Sequence, residues 1–101
     1  MNPTNLPVVT RASAAAEIEA AYRWYERERL GLGDEFLQAV NDRVATIAEH
    51  PERFPVIHRD IRRALLSRFP YGILYRMKAK HVIVVACFHS KRNPKEWQSR
   101  N

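Results

Sequence analysis

Three basic residues and one histidine lie close together near the C-terminus, directly after an apolar run. They are His89, Lys91, Arg92 and Lys95. His89 is suited to general acid or base catalysis near neutral pH, and Arg92 to stabilising the charge of a pentavalent phosphate. One chemistry open to this pair is metal-independent ribonucleolysis. A structural role is the alternative, in which the two side chains cap the end of a sheet and hold Trp97 in place. Residue types alone support both interpretations equally.

Other reaction chemistries find little support. The sequence lacks a phosphate-binding loop, a zinc motif and a serine-nucleophile motif, and its four histidines are far apart, so we expect neither a metal nor a cofactor. The second half holds only three acidic residues, Glu52, Asp60 and Glu96, so catalysis by paired carboxylates is not expected there. The one cysteine, Cys87, lies in the most apolar stretch and is predicted to be a buried, unreactive thiol.

Charge is distributed unevenly along the chain. Residues 1–50 hold five arginines against eight acidic residues, a net charge of −3, whereas residues 51–101 hold twelve Lys or Arg against three acidic residues, a net charge of +9. Neighbouring strands lie about 4.8 Å apart, so cations on one sheet face would form a surface for a polyanionic partner. A solvated basic face that only maintains solubility is the alternative. The residues expected to bind a partner are Arg62, Arg63, Arg68, Arg76, Lys91, Lys95, Trp97 and Arg100.

Hydrophobic periodicity predicts the elements that position these residues. A short strand over 6–10 is followed by an amphipathic helix from Ala14, which Gly31 and Gly33 interrupt. Asp34 is the expected N-cap of a second helix that ends near His50, before a proline. A connection this short makes the two helices an antiparallel hairpin.

The second half reads as strands over 61–68, 72–78 and 82–89, with a short closing helix after Pro94. In the middle strand, alternation places Ile73, Tyr75 and Met77 on one face. At 101 residues we expect one domain, residues 1–101. The longest apolar run, Val82 to Phe88, is too short to cross a membrane, and the start of the chain lacks the pattern of a secretory signal, so we expect a cytoplasmic protein.

Three segments taken together resemble the ParE/RelE superfamily of type II toxin–antitoxin toxins, more closely its ParE-like branch. These segments are HPERFP at 50–55, FPYGILYRM at 69–77 and VVACFHSKRNPKEWQSR at 84–100. The resemblance implies an α+β fold of order β-α-α-β-β-β, in which an antiparallel sheet packs against an antiparallel helical hairpin. It also implies growth arrest, plasmid stabilisation and a heteromeric complex with a cognate antitoxin, whose C-terminal segment wraps the toxin. An acidic amphipathic segment would complement the basic half.

The superfamily has two activities, and the resemblance divides between them. RelE-like members cut messenger RNA on the ribosome with basic residues and a C-terminal tyrosine, whereas ParE-like members poison DNA gyrase. Arg92 matches a RelE-like arginine, but Gly72 stands where those ribonucleases have another arginine, and Trp97-Gln98 replaces the tyrosine. We therefore expect a gyrase inhibitor rather than an enzyme. The alternatives are a ribosome-dependent endoribonuclease that uses His89 and Arg92, a toxin that has lost both activities, and a non-toxic nucleic-acid-binding module.

Overall fold

A computed structural model describes residues 5–100. Its elements are β1 (Val8–Thr10), α1 (Ala12–Glu28), α2 (Leu32–Glu49), β2 (Val56–His58), β3 (Ile61–Leu65), β4 (Tyr71–Met77), β5 (Val82–His89) and α3 (Lys95–Gln98). The strands form one sheet in the order β1-β5-β4-β3-β2. The helical hairpin of α1 and α2 packs on one face of this sheet, and the expected α+β class is confirmed.

Two features of the sheet differ from the expectation. The strands from β2 to β5 are antiparallel in succession, but β1 pairs with β5 in parallel, so the sheet is mixed. Parallel pairing is set by the path of the whole chain rather than by local sequence. The extra strand β2 lies in the segment after the Pro51–Pro55 bend, where three residues pair with β3 through an irregular register. Such a short strand carries little periodic signal.

The hairpin covers an apolar core on the inner face of the sheet. Phe36 and Ile47 from α2 meet Ile73 and Tyr75 from β4, and all four are fully buried. The Tyr75 hydroxyl donates to the Pro51 carbonyl oxygen at 2.7 Å, which ties the bend after α2 to the sheet. The predicted alternation of β4 is therefore confirmed, with Ile73 and Tyr75 facing the helices.

The connection between the helices is built by Glu26 and two glycines, and the prediction of Asp34 as N-cap is wrong. The α2 helix begins at Leu32 after Gly31, whose φ of 90° is left-handed. The Glu26 carboxylate accepts hydrogen bonds from the N–H groups of Gly31 and Gly33, each at 2.9 Å. It therefore satisfies donors at the start of α2, where the N-cap residue, Gly31, has no side chain that could do so. A Cβ on Gly33 would lie 2.7 Å from the Tyr22 ring, so this position requires glycine.

A second apolar cluster lies on the outer face of the sheet, beneath α3. It is formed by Ile61, Leu74, Val85, Ala86, Phe88 and Trp97. Because Arg68 has a φ of 70° and the chain turns there, β3 ends at Leu65, earlier than the predicted residue 68. The last residue of β3, Leu65, therefore lies at the same end of the sheet as the start of β4 and the end of β5.

Candidate functional site

His89 ends β5 and is held by its neighbours. Its imidazole ring stands edge-on to the Tyr71 ring, with 5.0 Å between centroids, and its Nδ1 accepts the Lys91 backbone N–H at 3.0 Å. A neutral imidazole that accepts at Nδ1 carries its proton on Nε2. The Ser90 backbone N–H and hydroxyl both donate to the Pro70 carbonyl oxygen, which fixes the turn after the strand.

Arg92 follows in the same turn and is fixed from two sides. Its guanidinium group lies over the Phe88 ring, 4.6 Å from the centroid, and forms an ion pair with Glu96 in α3. About half of the Arg92 side chain remains exposed, at 49%. These contacts fit the structural interpretation of Arg92, yet they leave part of the group open to a ligand.

A groove between α1 and the ends of β4 and β5 brings His89 and Arg92 to one place. Its volume is about 510 Å³. The aromatic wall consists of Tyr25, Tyr71 and Trp24, whose side chain is half exposed. This surface combines apolar area with the cation Arg92, which is a composition found in partner-binding sites.

The other ionisable side chains of the groove are poorly suited to proton transfer at neutral pH. Burial raises the pKa of both Tyr25 and Tyr71, so the two phenols stay protonated. Burial, followed by the nearby Glu17 carboxylate, raises the pKa of Cys87 from 9.0 to about 12. The prediction of a buried thiol is confirmed, since Cys87 is 1% exposed. Among the described residues that line the groove, His89 is the one histidine, the residue type most used for acid–base catalysis.

Glu17 joins the groove to the C-terminus and was missed by the sequence reasoning. Its carboxylate accepts two bonds from Arg100, at 2.7 and 3.2 Å, and one from the Cys87 backbone N–H at 3.0 Å. Arg100 also donates to the Val85 carbonyl oxygen at 3.1 Å. The two side chains thus satisfy the edge of β5 beyond the end of β1. Residues so distant in sequence give no local signal of this contact.

The arginines of the strands do not all share one surface, because their surroundings differ, and their role in binding a partner stays a prediction. Arg62 lies on the inner face and donates to the Glu52 and Phe54 carbonyl oxygens at 3.1 and 2.7 Å. Its neighbour Arg63 projects from the outer face and is exposed. Adjacent residues of a strand point to opposite faces, so the two cannot share a surface.

Four further residues of the predicted binding set also have contacts within the fold. Arg68 is paired with Glu35 at 2.9 Å, and that hydrogen bond lowers the pKa of the Glu35 carboxyl. Arg76 is paired with Asp60 at 3.2 Å. Trp97 is only 6% exposed, which leaves it little surface for a partner. The fourth residue, Arg100, is bound to Glu17. The two remaining members of the set, Lys91 and Lys95, are exposed.

No three His, Cys, Asp or Glu side chains within residues 5–100 lie close enough to hold a metal ion. Over the same range, no helix has the length and apolar character needed to cross a membrane.

Together, the fold and the groove define a small basic α+β protein whose polar groups mostly serve the structure, with a surface suited to binding another macromolecule. Residues 8–94 match the family model described as the ParE toxin of the type II toxin-antitoxin system, parDE. The chain therefore belongs to the ParE toxin family, and the resemblance in its sequence is confirmed.

A solved structure agrees on the fold. The structure of the chromosomal ParDE TA system from P. aeruginosa contains a chain that superimposes with a TM-score of 0.77. The two chains share 17% sequence identity over 87% of this chain and 99% of the other. At that identity the likeness supports the fold alone. No curated protein matches this chain.

Proposed function

We propose that this ParE-family toxin acts by binding DNA gyrase, in the cytoplasm, and that a cognate antitoxin neutralises it. The observation that carries the proposal is the family match over residues 8–94, together with a groove built for binding. Gyrase inhibition requires contact with the target and no bond-breaking step by the toxin. That requirement fits side chains that are already engaged within the fold.

The chemistry of the groove also favours binding over catalysis. Cleavage of RNA by acid–base catalysis uses one group that accepts a proton and another that donates one. His89 supplies one such group, whereas the pKa values of Tyr25, Tyr71 and Cys87 are raised and the Glu17 carboxylate is bound to Arg100. A second proton-transfer group near neutral pH is therefore missing from the described lining.

A ribosome-dependent endoribonuclease is the second candidate, and one observation favours it. His89 and Arg92 line the same groove beside Tyr71, so a general acid or base and a phosphate-stabilising cation are in one site. In this alternative the ribosome or the message would supply the missing group. Replacement of either His89 or Arg92 by alanine would then abolish cleavage without unfolding the protein.

The experiment that separates these functions measures two activities of the same antitoxin-free preparation. One assay follows supercoiling by purified gyrase, and the other follows cleavage of ribosome-bound messenger RNA. We expect inhibition of supercoiling and no cleavage. Unaffected supercoiling alongside toxin-dependent cleavage would replace the proposal with the second candidate, and the absence of both activities would indicate a chain that is not toxic.

For the antitoxin, we propose that its C-terminal segment occupies the groove between α1 and β5. An apolar segment that carries acidic residues would match the aromatic wall and the Arg92 guanidinium group beside it. The groove is a better candidate than Arg62, Arg63 and Arg76, because these three do not form one surface and two of them have contacts within the fold.

A further inference from the structure

The turn that follows β5 is closed by the side chain of His89 as well as by backbone hydrogen bonds. The Arg92 N–H donates to the His89 carbonyl oxygen at 3.1 Å, and the Lys91 N–H donates to Nδ1 of the His89 ring at 3.0 Å. The Ser90 N–H donates to the Pro70 carbonyl oxygen at 2.9 Å. Each backbone N–H from Ser90 to Arg92 therefore has an acceptor, and one of these acceptors is a titratable ring.

The contact between the ring and Lys91 has the connectivity of an Asx turn. In that motif, a side-chain acceptor on one residue binds the backbone N–H two residues further on, and Asn or Asp usually supplies the acceptor. His89 and Lys91 have this spacing. Histidine differs from asparagine in that its ring nitrogen can accept a hydrogen bond only while the imidazole is neutral.

Protonation of His89 would remove the acceptor on which this turn depends. Both nitrogens of an imidazolium ring carry a proton, so an Nδ1–H group would face the Lys91 N–H across the distance of a hydrogen bond. Two donors cannot bond to each other, and the Lys91 N–H would have to turn towards water. The closed turn is therefore compatible with the neutral ring and incompatible with the charged one.

Among the described residues around His89, no group would offset the charge of a protonated ring. The ionisable side chains that line the same two cavities are Glu17, Tyr25, Arg63, Tyr71, Cys87 and Arg92. The two tyrosines and the cysteine stay uncharged, because burial raises the pKa of each. Glu17 is bound to Arg100, and the two arginines are themselves cations, as is Lys91 in the turn.

The same turn determines where Arg92 lies. The Arg92 backbone is bound to His89, its guanidinium group lies 4.6 Å from the centre of the Phe88 ring, and its side chain lines the groove. Its ion pair with Glu96 is about half exposed, and exposed ion pairs hold a side chain only weakly. If the turn opens, little else in the described structure keeps Arg92 beside the groove.

We propose that His89 is a pH-sensitive switch that closes the turn, and so places Arg92 at the groove, while its ring is neutral. Protonation releases the Lys91 N–H, opens the turn and frees Arg92. Histidine side chains change protonation between about pH 5 and 8, so the switch operates in that range. The opening of the turn is independent of the target of the toxin. Its consequence for an acidic antitoxin segment rests on the proposed function of the groove.

NMR spectroscopy of the full chain without antitoxin, between about pH 5 and 8, tests the switch. The measured quantities are the protection of the Lys91 N–H against exchange with solvent, corrected for the intrinsic pH dependence of amide exchange, and the resonances of the Arg92 side chain. We expect protection to fall about fivefold as the His89 ring becomes protonated, the factor that one ordinary hydrogen bond contributes. Over the same pH range, the Arg92 resonances should lose the shift that the Phe88 ring causes.

Two substitutions at position 89 give the limits between which the unmodified chain should move. His89→Asn supplies an acceptor of Asx-turn geometry that does not titrate, so the Lys91 N–H should stay protected to within about twofold over the whole range. His89→Ala supplies no acceptor, so the turn should be open at every pH. Both variants keep His50, His58 and His81, which controls for titration elsewhere in the chain.

Three results would overturn the proposal. The first is a His89 ring that titrates while the protection of Lys91 stays constant. The second is the same pH dependence in His89→Asn, which would assign the change to another group. The third is a turn that opens while the Arg92 resonances do not move. The unmodified chain decides the first and third of these even if a variant fails to fold. Gyrase inhibition is measured separately, so failure here leaves it untouched.

Discussion

At the residue scale, Arg62 explains why the basic half of the chain presents fewer free cations than its composition indicates. Its side chain folds over the bend after α2 and donates to two carbonyl oxygens, so it satisfies backbone acceptors of that bend. Arg100 is engaged in a similar way with Glu17 and Val85. Among the basic residues predicted from the sequence to form the site, Arg63, Lys91 and Lys95 are exposed and Arg92 is half exposed, so these four are open to a partner.

The Cys87 thiol makes a testable contribution to stability in alkaline solution. The unfolded thiol ionises above about pH 9, whereas burial holds the folded thiol protonated up to about pH 12. Between these values the folded chain retains a proton that the unfolded chain has lost, so the free energy of unfolding falls as pH rises. We expect Cys87→Ala to remove up to about 1.4 kcal/mol per pH unit from this slope.

Urea denaturation of both proteins at a series of pH values from neutral to alkaline checks this prediction. The cavity left by alanine lowers stability by a similar amount at every pH, so the comparison depends only on the two slopes. Burial, the largest cause of the raised pKa values of Tyr25, Tyr71 and Tyr75, acts in both proteins, whereas the smaller contribution of Cys87 to the pKa of Tyr25 and Tyr71 is lost in the variant. Parallel slopes would show that the thiol ionises equally readily in the folded and unfolded chains.

Some residue-scale features could be predicted from sequence and others could not. The burial of Cys87 and the alternation along β4 follow from apolar patterning, which the structure confirms. The partners of Arg62 and Glu17 could not be predicted, because each contact depends on how separate elements meet. Gly72 is the clearest case: in the sequence it is a missing arginine, and in the structure it makes room for the stem of Arg63.

At the element scale, Gly33 sets how closely the two helices of the hairpin approach each other. A Cβ at this position would lie 2.7 Å from Cδ1 of Tyr22 and 2.8 Å from Oε1 of Glu26, the oxygen that accepts the Gly33 N–H. We expect Gly33→Ala to lower the free energy of unfolding by about 1 to 3 kcal/mol, because the helices must separate. Chemical denaturation measures the loss.

A double-mutant cycle with Tyr22→Ala identifies the cause of that loss. Removal of the ring makes space for the new methyl group, so the two substitutions should couple by at least about 0.5 kcal/mol. Gly31→Ala is the matched control, since nothing lies within 4 Å of its Cβ position and its cost comes from the positive φ alone. Equal coupling of Tyr22→Ala with both glycine substitutions would contradict the steric explanation.

Helices and long strands could be predicted because their side-chain periods are strong, and the end of α2 at His50 follows from the proline after it, whereas other ends could not be predicted. The apolar stripe of α2 locates the helix, but its start depends on Glu26, which approaches from the preceding helix. The three-residue strand β2 and the early end of β3 depend on pairing and on the left-handed residue Arg68. Local sequence carries little of that information.

At the scale of the whole molecule, the parallel pairing of β1 with β5 shapes the groove. Because β1 ends at Thr10 while β5 continues to His89, the far part of β5 has no strand on its β1 side, and α1 borders that edge instead. The family and the α+β class were accessible from the order of motifs along the chain. The mixed sheet and the groove were not, since both depend on which distant strands become neighbours.

Trp24 reports whether the antitoxin occupies this groove. Trp24 is 51% exposed and Trp97 is 6% exposed, so acrylamide should quench the fluorescence of Trp24 selectively. In a Trp97→Phe background, we expect bound antitoxin to reduce quenching several-fold, because burial at an interface excludes solvent. Trp24→Phe is the control, and its remaining Trp97 signal should change little. A stable complex in which Trp24 stays fully quenchable would place the antitoxin elsewhere.

Supercoiling by purified gyrase, in the presence of antitoxin-free toxin or its His89→Ala variant, decides whether the chain acts by binding or by catalysis. If the chain acts by binding, both proteins inhibit supercoiling in a dose-dependent manner, because His89 contributes no chemical step. Supercoiling that neither protein affects, together with ribosome-dependent cleavage that His89→Ala abolishes, would contradict the account and identify the groove as a ribonuclease site.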